Sequence, residues 1–115
     1  MKVDILGTEY NIIEKEDERF EKHDADGFCE WWTKEIHIKK GIGEETESTM
    51  FGMKQYKEKV IRHEIIHAFL FESGMQNYER DEQIVEWIAR NIEKINKALE
   101  QVKEGNNDLF IFIIS

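Results

Sequence analysis

Residues 46–71 contain a helical segment that constrains the fold more than any other part of the chain. Its final turns, the run IIHAFLF at residues 65–71, are apolar on almost every face, and Ser73-Gly74 follows as a stop signal. Three hydroxyl residues precede the segment as candidate N-caps: Thr46, Ser48 and Thr49. A helix that is apolar all round has to be covered all round, so we predict that it lies in the middle of the domain.

The chain before this helix has the pattern of short strands. Residues 1–15 alternate loosely about Gly7, which predicts a β-hairpin, and residues 28–32 and 35–39 predict two further strands. Residues 16–27 are charged and aperiodic, which predicts an exposed loop. These segments together predict a small antiparallel sheet. Within the last strand, Ile36 and Ile38 share one face.

A second long helix is predicted from about residues 77–81 to about Lys103. Its apolar residues fall on one stripe at helical spacing and are expected to face the core: Ile84, Ile88, Ile92, Ile95, Leu99 and Val102. Gly105-Asn106-Asn107 is expected to end the helix, and the tail at 108–115 is apolar and β-prone. The predicted architecture is a single α+β domain spanning 1–115, with the sheet followed by two long helices.

Composition excludes several classes of function. The 115 residues carry 16 cationic and 25 anionic side chains, a net charge of −9, which disfavours binding to a phosphate backbone. The single cysteine, Cys29, excludes an internal disulfide framework and a thiolate-rich zinc site. The longest apolar run, 109–114, is too short to cross a membrane, and residues 1–10 do not resemble a signal peptide. We therefore expect a cytoplasmic protein with neither nucleic-acid nor membrane partners.

The chemistry of the chain is concentrated in the motif His63-Glu64-Ile65-Ile66-His67. On a helix, residues at i and i+4 lie about 40° apart and one turn along the axis, so both imidazoles can reach one metal ion. Glu64 flanks that face, where it can act as a general base toward a water that zinc activates. The motif predicts two zinc ligands, His63 and His67, with Glu64 as the catalytic carboxylate.

A catalytic zinc ion needs a third protein ligand. His23 and His37 are expected to be surface histidines, which leaves the acidic residues before and within the second helix: Glu79, Asp81, Glu82 and Glu86. On a helical wheel Asp81 lies nearer the apolar stripe than Glu82 does, but Asp81 is also a natural N-cap. Reasoning from the residues alone leaves the choice between Glu82 and Asp81 open.

The HExxH motif followed by an acidic helix resembles the gluzincin arrangement of zinc metallopeptidases. In the thermolysin-like version the second helix carries N-E-x-x-x-D, and this chain has Asp81-Glu82-x-x-x-Glu86. By length, order of elements and motif, the chain resembles short prophage-associated metallopeptidase-like proteins of bacteria and, more distantly, ImmA/IrrE-type metallopeptidases. The resemblance implies a bacterial or phage-encoded protein with a minimal zincin-like domain, Glu82 as third ligand, and Glu86 holding a zinc histidine.

The activity that this resemblance implies is hydrolysis of a peptide bond in a peptide or protein substrate. One Zn²⁺ per chain would be held by His63, His67 and Glu82. The strand at 35–39 is expected to be an edge strand that borders the cleft and pairs with the substrate. By residue type alone, two side chains are candidates for stabilising the oxyanion: His37 and Tyr78.

Two alternatives belong to other classes of function. The first is a zinc-binding regulatory or phage–host interaction protein without proteolytic activity, because so short a chain has little room for substrate subsites. The second is a helical interaction protein whose second helix and apolar tail form an oligomer interface. Zinc content separates the second alternative from the others, and a cleavage assay separates the first from a peptidase.

Overall fold

A computed structural model describes residues 1–44 and 52–105. The N-caps predicted at Thr46, Ser48 and Thr49, the predicted helix end at Asn106 and Asn107, and the apolar tail lie outside the described residues. The described chain forms four strands and four helices in the order β1 (Lys2–Ile5), β2 (Thr8–Lys15), α1 (Glu18–Lys22), β3 (Gly27–Glu30), β4 (Glu35–Lys39), α2 (Met53–Glu72), α3 (Gln76–Glu79) and α4 (Glu82–Gly105). The predicted α+β class is confirmed.

The N-terminal hairpin forms as predicted. β1 and β2 pair antiparallel with Lys2 opposite Asn11 and Ile5 opposite Thr8. The two residues of the turn, Leu6 and Gly7, both have positive φ, at 51° and 88°. Such a turn matches the right-handed twist of paired strands, and glycine enters this conformation without steric cost.

The prediction that residues 16–27 form only an exposed loop is wrong. Helix α1 lies within this segment, and the Asp17 carboxylate caps it by accepting the backbone N–H of Arg19 at 2.9 Å. Phe20 is 1% exposed and is the one buried residue of the helix. A five-residue helix with a single buried side chain has no periodicity that a sequence pattern can detect.

The sheet is mixed, and the prediction of an antiparallel sheet is therefore wrong. The strand order is β1-β2-β4-β3, with β2 and β4 parallel and β3 and β4 antiparallel. After β2 the chain passes through α1 to the far edge of the sheet, and the β3–β4 hairpin then returns β4 to a place beside β2. This connection makes β4 run in the same direction as β2.

Strand β4 is internal, so it is not the edge strand that was expected, and His37 is not a surface residue. Ile36 and Ile38 are completely buried on the face that packs against α2. His37 is 2% exposed on the opposite face, where the Phe28 ring lies 4.7 Å from its own ring. Helix α1 contributes Phe20 to the same layer, at 5.0 Å from Phe28. Phe28 therefore contacts both His37 and the helix that the sequence did not predict.

Helix α2 packs between the sheet and α4, which confirms its predicted central position. On one side of the helix, Ala68 joins a cluster of four buried residues from the sheet: Ile5, Tyr10, Ile36 and Ile38. The other side places Ile66 against Val85 and Ala89 of α4. Among the described residues, no helix combines the length and apolarity that crossing a bilayer requires.

The second predicted helix is interrupted at its start. The structure has a single turn, α3, followed by α4, because the Asp81 carboxylate accepts the backbone N–H groups of Gln83 at 3.0 Å and Ile84 at 3.2 Å and so begins a new helix. The prediction that the whole apolar stripe faces the core is also wrong. Val85 and Ala89 are buried, whereas three residues of the distal half are 39–50% exposed: Ile95, Leu99 and Val102.

Candidate metal centre

Helix α2 presents the two motif histidines from successive turns. The Nε2 atoms of His63 and His67 lie 3.2 Å apart, and the two ring centroids are 4.9 Å apart with the planes inclined at 63°. His67 is 6% exposed, while His63 lies nearer the surface. The i, i+4 spacing on a regular helix is what directs both Nε2 atoms to one point.

Glu82 brings its carboxylate to the same point from the first turn of α4. Its Oε2 lies 2.9 Å from Nε2 of His63, and its Oε1 lies 3.1 Å from Nε2 of His67. One donor atom from each of these three residues lies within 4.8 Å of the other two. Asp81, the alternative ligand, has its carboxylate engaged with the backbone at the start of α4.

Each histidine is also held from behind by a second carboxylate. Nδ1 of His63 lies 3.0 Å from Oε2 of Glu86, and Nδ1 of His67 lies 3.0 Å from Oε1 of Glu79. A carboxylate at Nδ1 accepts the Nδ1–H, which leaves the Nε2 lone pair directed at the cluster. Carboxylates in this position fix the tautomer and orientation of metal-binding histidines and raise their basicity.

Glu86 is itself supported by a lysine. Nζ of Lys59 lies 3.2 Å from Oε1 of Glu86. Burial acts to raise the pKa of Glu86, but hydrogen bonds from Lys59 and His63 outweigh it and hold the pKa below its ordinary value. The carboxylate therefore remains ionised beside His63.

Glu64 lies next to the cluster and is 7% exposed. Burial raises its pKa to about 7, and the neighbouring Glu82 and Glu79 carboxylates add to the rise while His63 opposes it. Edge strand β3 passes close to this side chain at Gly27. A Cβ atom at Gly27 would lie 2.9 Å from Cγ1 of Val60 and 3.3 Å from Oε2 of Glu64, so this approach requires glycine.

Two contributors to the site were not identified in their roles from the sequence. Glu79 appeared only among several acidic residues, because its contact with His67 depends on α3, which the sequence pattern did not predict. Gly27 falls in the loop predicted over 16–27, whereas it is the first residue of β3 and packs against Glu64. A glycine at the start of a strand is a weak signal of close approach.

The cluster opens into a cleft of about 630 Å³. Strand β3 forms one wall with Gly27, Phe28 and Cys29, and α2 forms another with residues that include Tyr56 and Lys59. Burial, with added repulsion from the Glu64 and Glu79 carboxylates, raises the pKa of Cys29 to about 12, so this side chain is a thiol at neutral pH.

The other sequence candidates lie in different places. His23 is exposed and lines the mouth of the cleft. His37 lies on the face of the sheet away from α2, and neither it nor Tyr78, which is 49% exposed, lines the cleft. The structure therefore does not bring the two oxyanion candidates to the site.

Within the described residues one further group of donors has metal-like spacing: Glu30, Glu35 and His37. Arg19 already donates a hydrogen bond to the Glu30 carboxylate. Nδ1 of His37 is buried without a hydrogen-bond partner, unlike the Nδ1 atoms of His63 and His67. The group lacks the supporting carboxylates that orient ligand histidines, so the α2–α4 cluster is the better candidate for a metal centre.

No protein-family model, no curated protein and no solved structure matches the chain. Its function is therefore inferred from the site itself.

Proposed function

We propose that the protein is a zinc-dependent metallopeptidase with a minimal zincin-like fold of the gluzincin type. One zinc ion per chain is held by His63, His67 and Glu82. The observation that supports this most strongly is the convergence of three donor atoms within 4.8 Å, with a separate glutamate behind each histidine. Two successive helices supply those glutamates, α3 for Glu79 and α4 for Glu86.

The donor set fits zinc in a catalytic rather than a structural role. Two imidazole nitrogens and one carboxylate provide three protein ligands, which leaves a fourth position open for water or substrate. A structural zinc site would have four protein ligands and no open position. When bound, zinc supplies Lewis acidity, which activates water and polarises the carbonyl of a peptide bond.

The remaining residues of the site have separable tasks in this proposal. Glu64 takes a proton from the attacking water and transfers it to the amine nitrogen as the peptide C–N bond breaks. Glu79 and Glu86 keep the two imidazoles in the orientation that directs Nε2 at the centre. Glu64 is 7% exposed and lines the cleft, which supports this role.

Strand β3 is the element suited to bind the substrate backbone. It is an edge strand of the sheet, its residues 27–29 line the cleft, and one side of it is paired with β4. An extended peptide can add to such an edge through main-chain hydrogen bonds. We therefore propose β3, in place of the strand at 35–39, as the substrate-binding strand.

One observation favours the alternative of a zinc-binding regulatory or phage–host interaction protein without proteolysis. The two residues considered for oxyanion stabilisation, His37 and Tyr78, do not line the cleft. A hydrolytic site normally supplies a hydrogen-bond donor to the developing oxyanion.

A cytoplasmic location and a prophage origin remain part of the proposal, whether or not the protein is proteolytic.

Hydrolysis of an unstructured protein such as casein by the zinc-loaded chain tests the proposal. Glu64→Gln should retain its zinc and lose activity by a factor on the order of 10² or more, as expected for removal of a general base. Equal activity of wild type and Glu64→Gln would contradict the role of Glu64. Stoichiometric zinc without hydrolysis of any peptide in a diverse library would favour the non-proteolytic alternative.

A further inference from the structure

The distal half of α4 carries an apolar stripe that continues from the core to the surface. Six residues recur at alternating intervals of three and four: Val85, Ile88, Ile92, Ile95, Leu99 and Val102. Val85 is buried against α2 and Ile88 packs beside it, whereas Ile95 is 45% exposed and Leu99 is 50% exposed. This spacing is the a/d heptad pattern of a helix that packs against another helix.

The positions that flank the stripe are almost free of charged residues, which is unusual for an exposed helix. In the heptad register with Ile92 and Leu99 at a, the e and g positions from 89 to 98 hold only Ala89, Asn91, Asn96 and Ala98. The charged residues of this half lie at the outer b, c and f positions, except Lys103. Small and uncharged flanks allow a second helix to approach closely and present no like charges to an identical partner.

We infer that residues 92–102 of α4 pair antiparallel with the same segment of a second copy of this chain. In this register Ile92 of one copy faces Val102 of the other, and Ile95 faces Leu99. The two-fold axis repeats both contacts, which gives four apolar layers. Because each helix is already anchored in its own domain by Val85 and Ala89, pairing does not have to nucleate an isolated helix.

The charge distribution selects a second copy in the antiparallel orientation. Residues 1–89 hold 12 cationic and 21 anionic side chains, a net charge of −9, whereas residues 90–105 hold four cationic and three anionic side chains, a net charge of +1. A parallel pair would place two strongly acidic domains side by side. The antiparallel pair places them at opposite ends of the paired helices, where they repel each other less.

Sedimentation equilibrium of the full chain over about 5–500 μM tests the association. We expect a reversible dimer whose dissociation constant rises at least 100-fold in Leu99→Glu. Gln101→Glu introduces the same charge on the outer face of the same helix and should leave the dissociation constant within about threefold. A wild type that is monomeric throughout this range, as it would be if residues 106–115 of the same copy cover the stripe, would overturn the inference. Equal dimerisation of the wild type and Leu99→Glu would overturn it too.

Disulfide trapping tests the orientation separately. In a Cys29→Ser background, an equimolar mixture of Ile95→Cys and Leu99→Cys chains should form a mixed disulfide, because these residues face each other only in the antiparallel register. Leu99→Cys alone should cross-link poorly. Efficient cross-linking of Leu99→Cys chains to each other, with no mixed disulfide formed to Ile95→Cys chains, would indicate a parallel pair and contradict the inference.

Discussion

Nδ1 of His67 lies 3.0 Å from Oε1 of Glu79, and the two residues are 6% and 5% exposed. They lie twelve positions apart along the chain. The connection passes through Gly74, whose φ of 84° reverses the chain after α2, and through the single turn of α3. A single turn of helix packed against α2 and α4 thus supplies a buried carboxylate to the candidate metal centre.

We expect Glu79→Gln to weaken zinc binding by 10–100-fold, because a neutral amide does not hold the imidazole or raise its basicity as a carboxylate does. Glu58→Gln makes the same chemical change at an exposed position of α2 and serves as the matched control. Zinc dissociation constants measured by competition with a chelating dye decide the comparison. Equal affinity in the Glu79 and Glu58 variants would mean that Glu79 plays no part in the metal centre.

The third ligand can be identified by comparing adjacent residues. Glu82→Gln should weaken zinc binding more than any other single carboxylate substitution, because its two oxygens approach both histidines. Asp81→Asn should change zinc affinity little, since asparagine caps helices about as well as aspartate does and any loss of stability should stay within about 1 kcal/mol. Zinc titrations of the two variants provide the test. A strong effect at Asp81 with none at Glu82 would move the ligand by one residue.

Gly27→Ala tests the close approach of β3 to Glu64. The added methyl group would lie 2.9 Å from Cγ1 of Val60, so we expect a loss of about 1–3 kcal/mol in the free energy of unfolding by urea. The double variant Gly27→Ala/Val60→Ala should lose less unfolding free energy than the two single variants lose in sum. The reason is that Val60→Ala removes the clashing atom. Additive losses would show that the contact does not limit packing there.

Sequence patterns predicted the elements that have clear periodicity. The β1–β2 hairpin alternates about Gly7, and α2 is apolar enough that a central position was the only way to cover it. The i, i+4 spacing on a helix was sufficient to predict that His63 and His67 lie side by side. The choice between Asp81 and Glu82 could not be made on a helical wheel, because it depends on which carboxylate caps α4, and that is a matter of local backbone geometry.

Other features depend on contacts between segments that are distant in the chain. Burial of His37 follows from the place of β4 between β2 and β3 and from its contact with Phe28, a residue of the neighbouring strand. The mixed sheet follows from the route of the chain between β2 and β3, which no local pattern encodes. Exposure of Leu99 follows from where packing against α2 ends, although the stripe itself continues without change.

An acid dependence of stability is expected from the cap of α1. Hydrogen bonds from Arg19, together with Lys15 nearby, hold the pKa of the Asp17 carboxyl well below its usual value near 4. A folded-state pKa below the unfolded one means that this contribution is complete above about pH 5 and is lost as the pH falls toward the folded pKa. The wild type should therefore exceed Asp17→Asn in stability near pH 7, and the difference should shrink toward pH 2.

Urea unfolding of the chelated protein at several pH values measures this difference without interference from zinc. Asparagine preserves the capping hydrogen bond, so the comparison isolates the ionic contribution of Asp17. Lys2→Gln, which removes an exposed ion pair with Glu9 in the β1–β2 hairpin, provides a control with little expected effect. A gap between wild type and Asp17→Asn that stays constant from pH 7 to pH 2 would contradict the assigned ion pair.

The central claim is that His63 and His67 hold one zinc ion, and metal content of the purified chain tests it most directly. After mild chelation to remove loosely bound metal, the wild type should carry one equivalent of zinc by mass spectrometry of the elements. His63→Ala and His67→Ala should each carry essentially none, while remaining folded by circular dichroism. A full equivalent of zinc in either variant, or none in the wild type after incubation with excess zinc and the same mild chelation, would contradict the account.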